Sequence, residues 1–382
     1  MVPGRSPVGP GPPLAWWPVA HGWRRAGQVA LAVAVAGVLG APTAHAQPGV
    51  RLLGERVIAH DLDVRGTVLG GLSGIDYRAS TGDYVLISDD RSERDPARFY
   101  TARFTVDGDG VGPVTFTGTH PLLDPTGAEY PAKSVDPEEI RVDPWTGDYF
   151  WTQEGERADA VLIDPSVRIA RPDGTYAGDL PIPDNERMRP DTGPRRNAAL
   201  EAATFAAGGT LFVTALEGPL LEDGPGPTTG GGSLNRLTVQ ARFGPVLAQY
   251  LYPTEPVFAA SRPEPGRGDN GIVSILAADA LNPSTLLVLE RGFVPGVGTK
   301  IRLYEADLTA ATDVHGTSVT DARPAAKRLV ADLDELGLSH VDNIEGLTWG
   351  PRLATGERTL ILVSDNNFSA EQVTQLVALA IR

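Results

Sequence analysis

One short pattern recurs five times along this chain, and it constrains the fold more than any other feature. Ser73 to Asp89 reads SGIDYRASTGDYVLISD and Glu139 to Glu154 reads EIRVDPWTGDYFWTQE. Each is an apolar stretch, a Thr-Gly-Asp-Tyr turn, a second apolar stretch and then an acid eight residues after the Thr (Thr81 to Asp89, Thr146 to Glu154). That is the grammar of a β-hairpin ending in a carboxylate. Looser copies run from Glu201 to Glu217, Ser274 to Glu290 and Glu345 to Asp365, with turns at Gly208-Gly209, at Asn282-Pro283 and in a longer last loop.

The copies start at Ser73, Glu139, Glu201, Ser274 and Glu345, in steps of 66, 62, 73 and 71 residues, so each step holds one supersecondary unit. Amphipathic helices are almost absent between the copies. The intervening text is strand-like, as in Phe99 to Val106, Ser233 to Phe243 and Ile301 to Ala306, which argues against a parallel α/β sheet. The expected fold is all-β, a β-propeller of five blades, with six as the alternative if a degenerate blade hides in the Pro/Gly-rich stretches. The 37 residues after Glu345 and the 26 from Gln47 to Leu72 together make 63, about one period. An N-terminal strand around Arg56 to Val64 is therefore expected to close the last blade beside Val373 to Ile381.

Residues 1–46 stand outside this repeat. They carry Arg5, Arg24 and Arg25 and no acid, then an apolar run from Val29 to Leu39, then Ala44-His45-Ala46. This reads as a signal peptide cleaved before Gln47, with a signal anchor as the alternative; the run is too short to span a bilayer. Residues 47–382 are then one domain, secreted or periplasmic, with no stable membrane span after processing. The paired Arg24-Arg25 lacks the apolar follow-on of a twin-arginine signal.

The whole chain has 33 basic and 48 acidic residues and a charge of −15; loss of the three leader arginines takes the processed chain to −18. Such a balance argues against a nucleic-acid surface and favours metal cations or small polar substrates as partners. With no cysteine there is no disulfide scaffold, thiolate zinc site or Cys nucleophile. The text around Ser73 lacks the final glycine of a nucleophile elbow and leads into a strand, so a serine triad is not expected either.

The repeat places carboxylates in register. If each hairpin is the innermost part of a blade, one tier holds Glu139, Glu201 and Glu345 beside Ser73 and Ser274. The other holds Asp89 with Asp90, Glu154, Glu217, Glu290 and Asp365. Apposed acids raise each other's pKa unless a cation, a proton or a basic side chain joins them. Ca²⁺ suits an all-oxygen ligand set, and the six histidines show no paired spacing for zinc or iron. Any one of these acids has a plainer role as a cap or interblade ion pair. Arg91, Lys133, Arg196 and Arg291 lie close to the acids in sequence and are read as binding an anionic substrate. Arg267-Gly268-Asp269 is read as part of a surface loop.

These motifs carry a family resemblance. Gly70-Gly71-Leu72-Ser73-Gly74-Ile75-Asp76, Leu86 to Arg91, Leu287 to Phe293, Asp342 to Leu347 and Val363 to Phe368 together resemble the bacterial phytase-like family, described as having esterase-like activity of phytase. The resemblance spans about residues 65–382. One departure is Leu200-Glu201-Ala202, where the pattern has a Gly-flanked Glu. The resemblance implies a secreted propeller related in architecture to calcium-dependent phytases, which hydrolyse phosphate monoesters.

The leading expectation is an exported, calcium-dependent hydrolase acting on a small anionic ester as a monomer, with Glu290 and Glu345 as candidate catalytic carboxylates. A gluconolactonase-type lactonase is one alternative, with Asn197, Asn343 and Asn366 beside the acids. A non-catalytic propeller that binds a protein or glycan is another.

Overall fold

Twenty strands in five four-stranded antiparallel sheets make up the fold of this computed structural model, which describes residues 49–158 and 160–382. The expected signal peptide lies outside the described residues. Each sheet is a meander whose first two strands are one of the recurring hairpins. The innermost strands are Leu72–Arg78, Pro137–Val142, Leu200–Ala206, Gly271–Ala277 and Ile344–Trp349. Each touches the next and the fifth touches the first, so they form a closed ring. The chain is a five-bladed β-propeller, and the six-blade alternative is excluded.

Alternation along the second strands explains why the blades stack. In Asp83–Ser88, Tyr84 and Leu86 pack toward the fifth blade, with Ile361 and Val363, while Val85 and Ile87 pack toward the second, with Tyr149 and Trp151. Side chains two apart share a face, so an unbroken apolar run fills two interblade layers at once. Five such layers, one between each pair of adjacent blades, make up the core.

The ring closes through the N-terminal strand. Val50–Ile58 forms the outer edge of the last blade, paired antiparallel to Thr374–Ile381 from Val50 opposite Ile381 to Ile58 opposite Thr374. The expected closure holds, with the strand some six residues earlier than the Arg56 to Val64 predicted. Asp63–Val64 instead forms a short ribbon with Thr67–Val68.

Candidate functional site

Every innermost strand breaks its pairing once, near its start. Register shifts fall between Leu72 and Gly74, Pro137 and Ile140, Leu200 and Ala202, Ile272 and Ser274, and Ile344 and Gly346. Such a bulge turns one extra residue out of the ladder and re-aims its side chain. Counted from the strand starts, the bulged residues are Ser73, Glu138, Glu201, Val273 and Glu345. The next positions are Gly74, Glu139, Ala202, Ser274 and Gly346, small in every blade but the second.

That count corrects the place of Glu139. It lies one tier deeper than the bulged acids, where Gly74 leaves room: a Cβ on Gly74 would sit 2.7 Å from Glu139 Oε1. Its carboxylate accepts from Arg141 Nη2 at 2.6 Å, from Ser274 Oγ at 2.5 Å and from the Ile140 N–H at 3.0 Å. Burial pushes Glu139 up to about 8, and Arg141 opposes that shift. Glu138, its neighbour, takes the place in the bulged tier.

The same slip moves Glu290. Asp89, Glu154, Glu217 and Asp365 each follow the last paired residue of their strand, and their N–H groups bond to the carbonyls of Gly71, Asp136, Ala199 and Asn343. In the fourth blade the matching pair is Gly271 opposite Arg291, with Glu290 one step earlier, opposite Ile272. A one-residue step in a strand reverses the face. Glu290 therefore points away from the channel, accepting from Tyr252 Oη at 2.7 Å, Lys327 Nζ at 2.7 Å and Asn270 Nδ2 at 2.9 Å. It is a buried structural acid, and Arg291 stands where four blades have carboxylates.

Asp90 is also structural. It accepts from the N–H groups of Glu93, Arg94 and Asp95 and from Arg98 Nη1 at 2.8 Å, folding the loop after the second strand. Burial works against its charge, but the Arg98 bond and the loop amides outweigh it and hold Asp90 below the usual range.

The remaining acids do converge. Asp89, Glu138, Glu154, Glu201, Glu217, Glu345 and Asp365 lie at one end of the channel, joined by Asp136. Two triads have carboxylate oxygens within 4.8 Å of one another, Asp136–Glu138–Glu154 and Glu154–Glu201–Glu217, so Glu154 belongs to both. Burial, reinforced by Glu345 and Asp136, raises Asp89 to about 8. Burial and Glu217 raise Glu154 to about 8; burial raises Asp136 to about 7 against the pull of Arg91. Glu345 reaches about 8 by burial despite Arg291, and burial with neighbouring charge takes Glu138, Glu201 and Asp365 well above the usual range.

Among the described residues no hydrogen-bond donor serves the carboxylates of Asp89, Glu138 or Glu201. Oxygen-only, partly unpartnered and mutually repelling, this donor set suits a hard divalent cation.

Arg291 bonds Glu217 at 2.8 Å, Glu345 at 3.1 Å and the Asn343 side-chain oxygen at 2.9 Å. Arg91 joins Glu156 at 2.8 Å and approaches Asp136 at 3.4 Å. Arg196 is exposed at the mouth, 3.7 Å from Glu156. Lys133 is exposed and turned to Glu93 at 3.0 Å. A cavity of about 260 Å³ opens beside Glu217, lined in part by Arg195, Arg196, Asn197, Arg267 and Asp269. The sequence reading missed Asp136, Glu138 and Arg267 as site residues. For Glu138 the signal was available: aligning the small residues Gly74, Ala202, Ser274 and Gly346 places it in register with Glu201 and Glu345.

Below the acids the channel is shut. Arg141 is buried on the axis and donates to carbonyls of Ile75, Ala203, Ile275 and Leu347, as well as to Glu139. One guanidinium thus binds an innermost strand of every blade.

Fold and site together define a five-bladed propeller with a blind, acid-lined channel mouth. The family profile Phytase-like, "Esterase-like activity of phytase", matches residues 67–368, and the chain belongs to that family. No curated protein sequence matches it. Solved structures it is similar to include a glucose dehydrogenase (13% identity, 88% of this chain and 99% of that one, TM-score 0.36). Another is an exo-β-1,3-galactanase from Phanerochaete chrysosporium (11%, 85% and 64%, TM-score 0.43). A third is a gluconolactonase from Xanthomonas campestris (12%, 87% and 91%, TM-score 0.33). No helix among the described residues is long and apolar enough to cross a membrane.

Proposed function

We propose that the protein is an exported, calcium-dependent hydrolase of small anionic esters, phosphate monoesters first among them. The observation that carries this reading is the pair of carboxylate triads sharing Glu154, set beside the arginine-lined cavity. Family membership supports the same class of chemistry.

Asp136, Glu138 and Glu154 would hold the cation, with Asp89, Glu201, Glu217 and Asp365 around them. A hard divalent cation, when bound, supplies Lewis-acid polarisation of an ester oxygen and of water. The chain's own residues do the rest. Arg196 and Arg267, exposed on the cavity wall, bind the anionic group by charge-assisted hydrogen bonds. Asp89, raised to about 8 and without a donor among the described residues, is in its ionised form basic enough to accept the proton of the attacking water. Arg141 and Glu139 block the far end of the channel, so substrate enters and product leaves by the acidic mouth. Glu345, held by Arg291 and Asn343, serves to orient that pair.

The test is hydrolysis by residues 47–382 of an aryl phosphate, an aryl carboxyl ester and a lactone, each with calcium and with a chelator. Calcium-dependent release of phosphate supports the reading. Lactone or carboxyl-ester turnover alone reassigns the substrate class, and no turnover on any substrate rejects the enzyme.

A further inference from the structure

The fourth blade departs from the ring's pattern at one position, and the departure has a charge. At the step where the other blades have Asp89, Glu154, Glu217 and Asp365, the fourth has Arg291. Its guanidinium is mostly buried and lies against Glu217, Glu345 and Asn343, while its Nε has no hydrogen-bond partner among the described residues. Asn343 passes the connection on, donating to Glu345 at 3.0 Å and to Asp365 at 3.3 Å. One half of the acid ring is thus already supplied with a cation by the chain itself.

The other half is not. Glu138 and Glu201 have no donor among the described residues, and Glu154 accepts only the Ala199 N–H at 2.8 Å. Of the two triads, Asp136–Glu138–Glu154 has Arg91, 3.4 Å from Asp136, as its sole basic side chain within ion-pair distance among the described residues, whereas Glu154–Glu201–Glu217 shares Glu217 with Arg291. A guanidinium and a divalent ion compete for the same carboxylate, because each site holds a limited positive charge at contact distance.

We propose that Arg291 is a built-in counter-cation that occupies the place of a second metal ion and confines exogenous calcium to the Asp136–Glu138–Glu154 triad. This rests on the reading of the acid ring as a cation site and specifies its stoichiometry. Replacement of Arg291 by a neutral side chain frees Glu217 and completes the second triad around the shared Glu154.

The test is calcium titration by calorimetry of residues 47–382 as wild type, Arg291→Met, Arg291→Lys and the double variant Arg291→Met/Glu345→Gln. The double variant removes one acid along with the arginine, so it keeps the local charge balance if the single variant folds poorly. Both Met variants are expected to rise from about one to about two ions per chain, and the Lys variant to stay at about one. Two ions in the wild type, or one ion in a folded Met variant, overturns the role of Arg291 and leaves the cation site standing. No calcium bound by the wild type overturns both.

Discussion

Arg141 meets Glu139 at 2.6 Å on the axis of the ring, and the same guanidinium hydrogen-bonds to carbonyls from the other four blades. Glu139 fits because the equivalent positions are Gly74, Ala202, Ser274 and Gly346. The pair joins blades that otherwise meet through apolar layers, and it closes the channel beneath the acids.

Loss of this pin is expected to be costly. Arg141→Met leaves Glu139 buried without its cation and orphans several carbonyls, a change of about 3–5 kcal/mol. Urea unfolding measures it. A loss below about 1 kcal/mol would show that the axial contacts add little to the interblade layers.

The acids make stability depend on pH in a direction set by their shifts. Asp89, Glu154 and Glu345 rise to about 8 and Asp136 to about 7, so between the ordinary carboxylate range and pH 8 the folded chain binds more protons than the unfolded one. The stability that these groups contribute without metal is therefore full below about pH 4 and is lost progressively as pH rises to about 8. Melting temperatures in chelator should fall from pH 5 to pH 8, and saturating calcium should remove most of that fall. A metal-free melting temperature that rises over the same interval contradicts the assignment.

The two acids that sequence spacing placed together should separate in function. Glu154→Gln removes the carboxylate shared by both triads and should lower turnover by at least about 100-fold, as expected when a group that positions the reacting centre is lost. Glu290→Gln disturbs Lys327 and Tyr252 instead, so it should lower the melting temperature with kcat within a few-fold of wild type. Equal losses of kcat in folded samples of both would return Glu290 to the site.

What the sequence made legible, and what it hid, follows from these registers. Five hairpins, their order and the closing strand were readable because Thr-Gly-Asp-Tyr turns and apolar runs mark the repeat directly. Seven of the eight converging acids come from strand starts or strand ends and need only the correct count within the strand: Asp89, Glu154, Glu201, Glu217, Glu345 and Asp365 fell in place, and Glu138 was one residue away from the Glu139 chosen. Asp136 sits just before its strand, outside the repeat unit. Bulges were the obscuring feature, since one unpaired residue changes which side chain faces the channel. Arg195 and Arg267 come from irregular connections whose approach to Glu217 no periodicity encodes.

Closure by the first strand gives a further expectation. Val50–Ile58 completes the last blade and covers Thr374–Ile381, so a chain starting at residue 60 exposes the edge of a three-stranded blade. Such a truncation should aggregate or lose cooperative thermal unfolding, which circular dichroism follows. A truncated chain that melts cooperatively within about 2 °C of the full domain, a shift of about 1 kcal/mol for a domain of this size, would mean that closure is dispensable.

Calcium binding to the acid ring is the central claim, and calorimetric titration of the metal-free domain against its Glu154→Gln variant tests it most directly. The account predicts saturable binding of calcium by the wild type and its loss, or a weakening of at least about ten-fold, in the variant, because both triads lose their common ligand. Identical isotherms for the two proteins, or no heat of binding in the wild type, would contradict it.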